Sequence, residues 1–211
     1  MKKLTSILLL SCVILPLSAQ KDPEAVRILS EFSKKASSAP SVKIDFTFDA
    51  NDTREGNITT MSGSAVISGD SYRVTTDDNI VWADGKAVWN YLADANEVTI
   101  TEPDPDEGSF MARPSLLFSL YEEGYKVRLL EQNSREWVID LYPEDINVSL
   151  IRIRLNIGKS LYDLRSAEYR TKDGMTVTLK ADRYDLTFRP PDGYFTFNPA
   201  DYKGVDVIDM R

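Results

Sequence analysis

Histidine is absent from this chain, and its one cysteine, Cys12, lies among the first twenty of 211 residues. Those shortages remove most nucleophilic and metal chemistry at once. Ser-His-Asp and Cys-His arrangements need an imidazole, and the usual zinc sets need imidazole or thiolate. No glycine-rich phosphate loop occurs, and no repeat or low-complexity linker divides the chain. Positive charge is also scarce: 25 Lys and Arg stand against 33 Asp and Glu, a formal net charge of −8. That sign argues against nucleic acid and against simple electrostatic docking on an anionic membrane. Asp77-Asp78, Glu122-Glu123 and Asp104-Pro105-Asp106-Glu107 fall in expected turns and loops, where they read as solvated surface charge. The last of these has no calcium-binding spacing. The residues point away from an enzyme and call for no metal or cofactor.

What is present begins with a targeting segment over residues 1–20. Lys2 and Lys3 supply the positive start, Leu4 to Leu17 the apolar stretch, and Leu17-Ser18-Ala19 a small-residue zone that places cleavage near Ala19-Gln20. The stretch is too short for a lasting membrane anchor, which needs about 20 residues. Leu9-Leu10-Ser11-Cys12 loosely resembles a lipid-attachment box, yet Val13-Ile14-Leu15 follows where a polar linker belongs. Cys12 is therefore expected to leave with the signal. Losing Lys2 and Lys3 moves the formal charge from −8 to −10. Residues 21–211 then read as one domain, without disulfides, whose stability must come from a hydrophobic core.

Asp22-Pro23 opens a helix with Ala25, Ile28, Leu29, Phe32 and Ala36 along one stripe. From Val42 the apolar period changes to two, first in Val42-Ile44-Phe46-Phe48. It returns in Tyr125-Val127-Leu129, Trp137-Ile139-Leu141, Ile151-Ile153-Leu155-Ile157, Met175-Val177-Leu179 and Tyr184-Leu186-Phe188. Between Ile80 and Ile100 two tight turns, Asp84-Gly85-Lys86 and Asp94-Ala95-Asn96, join three short strands carrying Trp82, Trp89 and Tyr91. A short apolar helix starts at Pro114, runs through Leu116-Leu117-Phe118 and stops at Gly124. The expected fold is mainly β: a long antiparallel meander that must curl or close, covered by an N-terminal helix and a short inserted one.

The Ile80–Ile100 stretch and the closing Phe195-Thr196-Phe197-Asn198-Pro199 with Gly204-Val205-Asp206 resemble the LolA-like family of periplasmic lipoprotein carriers. The resemblance implies an incomplete β-barrel with a helical lid over an apolar cavity. It also implies a periplasmic monomer without cofactor, whose partners are lipoprotein acyl chains, an inner-membrane lipoprotein-releasing transporter, and the outer membrane or its lipoprotein receptor. Better-known members carry an Arg-Pro pair before the strand matching Tyr72-Arg73-Val74, and that Arg latches the empty cavity. Here the turn is Gly69-Asp70, so Asp70, Arg73 and Arg113 are the candidates for the latch, although alternation turns Arg73 outward.

Candidates to line the cavity are Phe46, Phe48, Tyr72, Val74, Trp82, Trp89, Tyr91, Met111, Leu116, Leu117, Phe118, Leu120, Trp137, Ile139, Ile151, Ile153 and Leu155. Ordinary core filling explains period-two aliphatic residues equally well. Rings near a lid suit an adaptable acyl pocket, and Met111 adds a pliable wall. Parity decides which residues face inward, so a one-residue slip would exchange the two faces. The other reading is a lipid-binding or sensing module on the same half-barrel, without transport.

Overall fold

The computed structural model describes residues 22–52, 54, 56–104 and 113–211. The signal segment and Met111 lie outside them. The helix α1 spans Pro23–Ser38, and β1 to β6 span Val42–Asp52, Asn57–Ser68, Ser71–Thr76, Asn79–Ala83, Val88–Leu92 and Glu97–Thr101. A 3-10 turn, Pro114–Phe118, follows. Then come β7 to β11, Tyr125–Gln132, Glu136–Pro143, Leu150–Gly158, Leu164–Thr171 and Met175–Asp185, and finally β12, Asp206–Asp209. Among the described residues all twelve strands form one curved, open sheet in the order β12-β6-β5-β4-β3-β2-β1-β11-β10-β9-β8-β7.

Local chemistry sets the elements. Asp22 Oδ1 accepts from the amides of Glu24 and Ala25 at 3.0 and 3.3 Å, capping α1. Its Oδ2 accepts from the Leu129 amide at 3.2 Å, and its own amide donates to the Val127 carbonyl at 3.1 Å. One residue thus starts the helix and occupies the free edge of β7, which needs covering against further strand pairing. Asp84 Oδ1 accepts from the Lys86 and Ala87 amides at 2.9 Å each, and Gly85 takes φ +83°, as the expected Asp-Gly turn requires. The inserted apolar segment is not an α-helix. Its bonds run from Leu116 to Arg113 and from Ser119 to Leu116, each 3.0 Å, because five residues are too few to repay helix nucleation.

The two faces of the sheet are covered by different parts of the chain. On the inner face α1 lays Ala25, Ile28, Leu29 and Phe32 over Ile139, Leu141, Ile153, Leu155, Ile157 and Leu164, forming the main core. On the outer face of β4 to β6 the chain after β11 returns as a strap. Phe197 and Tyr202 pack on Trp82 with ring centres 5.6 and 5.8 Å apart. The strap ends in β12, which pairs with β6 in parallel, the one departure from an antiparallel meander among the described strands.

Candidate functional site

An apolar cavity of about 190 Å³ lies on the inner face between the middle of the sheet and the 3-10 turn. β1 supplies Ile44, Phe46 and Phe48; β2 supplies Met61, Ala65 and Ile67; Val74, Leu179 and Leu117 close the sides and lid. Register explains the set: Ile44, Phe46 and Phe48 stand opposite Ala65, Gly63 and Met61, so parity puts all six on one face. Gly63 leaves room for the Phe46 ring, since a Cβ there would stand 2.8 Å from the ring and 2.5 Å from the Thr75 carbonyl oxygen. The lid is tied to the helix by rings, with Phe118 5.3 Å from Phe32.

Of the residues expected to line a cavity, Phe46, Phe48, Val74 and Leu117 do so. Leu116 and Phe118 flank a second opening of about 360 Å³ between the lid, the end of α1 and the Gly69-Asp70 turn. Leu120, Trp137, Ile139, Ile153 and Leu155 are buried in the core beneath α1, the plain alternative for each. Tyr72 belongs to the same inner face further along, beside Val81 and Val88.

Four expectations fail. Trp82, Trp89 and Tyr91 lie on the outer face, because Arg73 pairs with Trp82, Trp82 with Trp89 and Ile80 with Tyr91, all of parity opposite to Val74. Their partners are Val98 of β6 and Phe197 and Tyr202 of the strap, so they are a second core and not a cavity wall. Ile151 is 40% exposed. The register shift where Thr171 meets Leu150 turns Leu150 inward and leaves Ile151 outside.

Arg73 is no latch either: its guanidinium sits between the Trp82 and Tyr194 rings, 5.3 and 5.1 Å from their centres, on the face away from the lid. Arg113 stands at the N-terminal end of the lid turn. It lines the openings on both sides of the lid together with Asp70, and its Nε is buried without a partner among the described residues.

Several cavity residues were missed: Ile44, Met61, Ala65, Ile67, Thr76, Pro114 and Leu179. The signal for β2 was available in the spacing of Met61, Gly63, Ala65 and Ile67, though Thr and Ser surround it. Leu179 sits in a strand recognised as alternating, but nothing in the sequence shows that this strand pairs with β1 and so borders the cavity.

Among the described residues no charged side chain lines the cavity, and an ion-pair network lies on the outer face. Asp140, 0% exposed, accepts from Arg154 at 2.7 and 2.9 Å and from the Tyr142 hydroxyl at 2.8 Å. Arg152 bridges Asp140 and Glu168 at 3.4 and 2.6 Å. Burial alone would raise the Asp140 carboxyl, but Arg154, Tyr142 and Arg152 outweigh it and hold it below the usual carboxylate value. Under α1, burial and then the nearby Asp163 push the Tyr184 phenol upward, so the core keeps a neutral hydroxyl there.

The fold is thus a curved sheet covered by a helix on one half, with a lidded apolar cavity at its middle. A family model for outer membrane lipoprotein carrier protein LolA matches residues 17–172, and the chain belongs to that family. Among curated proteins nothing matches. An uncharacterized conserved protein from Thermus thermophilus is similar in structure: TM-score 0.59, 15% identity, 88% of this chain and 99% of that one covered. That likeness concerns the fold alone. An outer membrane lipoprotein-sorting protein domain from Vibrio parahaemolyticus gives a TM-score of 0.45 at 12% identity, covering 82% of this chain and 96% of that one. A LolA superfamily protein from Nitrosomonas europaea gives 0.44 at 14%, covering 82% and 97%.

Proposed function

We propose that this protein is an exported periplasmic carrier that shields the acyl chains of lipoproteins. In this reading it takes them from an inner-membrane lipoprotein-releasing transporter and delivers them to the outer membrane or its receptor. The observation that carries the proposal is the apolar cavity under a 3-10 turn whose lid residue, Leu117, is itself a cavity wall. Membership of the carrier family supports it. Each methylene removed from water contributes about 0.8 kcal/mol, so a multiply acylated protein cannot cross an aqueous space unshielded. Release requires a competing state, and the lid resting on sheet and helix supplies one.

Native mass spectrometry of the mature protein with a triacylated lipoprotein, beside the same lipoprotein stripped of its acyl chains, tests this. The expected result is a one-to-one complex with the acylated form alone, weakened at least tenfold by Leu117→Glu, which places a charge in the cavity. Binding of free phospholipid with indifference to the lipoprotein would replace the reading with a general lipid carrier. No binding of either would leave a sensing or structural half-barrel.

A further inference from the structure

The inner face does not keep one chemistry along its length. Past Val74 the apolar cavity gives way to a trough of about 440 Å³ over β3 to β6, lined by Tyr72, Val74, Val81, Val88, Asn90, Thr99, Thr101 and Met210. Val74 lines both spaces, so they adjoin. Asn90 pairs with Val81 and Thr99, and Thr101 pairs with Val88, which sets the amide and both hydroxyls on this face. Asn90 Oδ1 accepts from Asn79 Nδ2 at 2.7 Å, which fixes the amide and leaves its NH₂ turned to other partners. Among the described residues neither Thr99 nor Thr101 makes a side-chain hydrogen bond. Among the described residues no ionisable side chain lines this trough apart from the phenol of Tyr72; Arg113, Asp70, Glu102 and Asp104 line the adjoining opening, which shares Tyr72, Val88 and Thr101 with it.

Resting on the carrier reading, we infer that the Asn90–Thr99–Thr101 trough is a second subsite, which holds the uncharged, carbonyl-bearing linkage of an acylated ligand while its chains occupy the Phe46–Leu117 cavity. Three neutral donors suit ester and amide carbonyls, each of which accepts without bringing charge into the trough. A free carboxylate or a phosphate finds no cation among the described residues lining the trough, and Arg113 of the adjoining opening stands with three carboxylates, Asp70, Glu102 and Asp104. The trough therefore favours a glyceryl-ester or amide-linked lipid over a fatty acid, and selection comes from the linkage because the apolar cavity accepts any chain of suitable width.

Two probes separate this from the reading beneath it: a dipalmitoyl-glyceryl-cysteine peptide and palmitate, each titrated by displacement of a fluorescent acyl dye from the mature protein. Valine is a good strand residue of threonine's shape, so the double variant Thr99→Val/Thr101→Val keeps the sheet. Its expected effect is about tenfold weaker binding of the lipopeptide, the loss of two ordinary hydrogen bonds, with palmitate unchanged. Asn90→Asp keeps the acceptor for Asn79 and exchanges the free donor for a carboxylate; it should weaken the lipopeptide at least as much. Equal effects on both probes, or none on either, overturn the subsite while leaving the acyl cavity standing. Failure of the unaltered protein to bind either probe overturns both.

Discussion

Asp140 shows how much one side chain decides here. It is fully buried on the outer face and held by a two-pronged Arg154, with Arg152 and Tyr142 beside it. Removing one member of such a pair leaves the rest desolvated and unpaired, which costs more than the pair contributed. Asp140→Asn should therefore destabilise the fold by about 2–3 kcal/mol in urea unfolding at neutral pH, Arg154 being partly exposed. The pH dependence follows from the direction of the shift. A carboxyl held below its unfolded value of about 3.9 stabilises fully above that pH, and the contribution is lost as pH falls through the folded value. Unfolding curves measured downward from pH 5 should steepen for the native protein and stay flatter for Asp140→Asn. Parallel curves would mean that Asp140 contributes nothing to acid sensitivity.

Among elements, the strap from Leu186 to Asp209 determines which face of β4 to β6 is core. Asn96 anchors it: the residue takes φ +50°, its amide donates to the Gly204 carbonyl at 2.9 Å, and its Oδ1 accepts from the Tyr91 hydroxyl at 3.2 Å. Its backbone oxygen also accepts from the Asp206 amide at 3.0 Å. Asn96→Gly relieves the positive φ but removes the side-chain bonds, whereas Asn96→Ala removes the bonds and adds strain. Hydrogen exchange at Val207 to Asp209 should quicken in both, and unfolding should cost about 1 kcal/mol less for Gly and about 2 for Ala. Unchanged exchange in Asn96→Ala would show that the rings alone hold the strap. This element also marks the limit of what sequence could tell. The helix, the Asp-Gly turn and the alternating strands were legible because each depends on neighbours within a few residues. The side on which Trp82, Trp89 and Tyr91 fall was not, since alternation gives two faces and only a segment a hundred residues later chooses between them. For the same reason Phe48 could be read as a cavity residue, whereas Leu179, its partner across β11, could not.

At the scale of the molecule the proposed carrier role raises the question of how the protein would admit a lipid. Ligand pockets commonly measure about 300–1,000 Å³, and the apolar cavity holds about 190 Å³. On the carrier reading, room for an acyl chain would come from moving the Pro114–Phe118 turn, against contacts that hold the empty protein closed. Phe118 makes such a contact with Phe32 at 5.3 Å but lines the opening beside α1 and not the apolar cavity. Its ring thus favours closure without forming the wall a chain would touch. When the competent state is a minor fraction, apparent affinity is reduced by that fraction, and loosening the lid restores it. Phe118→Ala should accordingly lower the melting temperature, since half-buried ring packing worth about 1–2 kcal/mol is lost. The same variant should bind a fluorescent acyl probe up to roughly tenfold more tightly. Leu117, which is both lid and wall, should behave differently: Leu117→Ala loosens closure yet removes ligand contact, so its stability falls without a comparable gain in affinity. Weaker binding by Phe118→Ala would place its ring against the chain in the open form and remove self-closure as the term that keeps the ligand transferable.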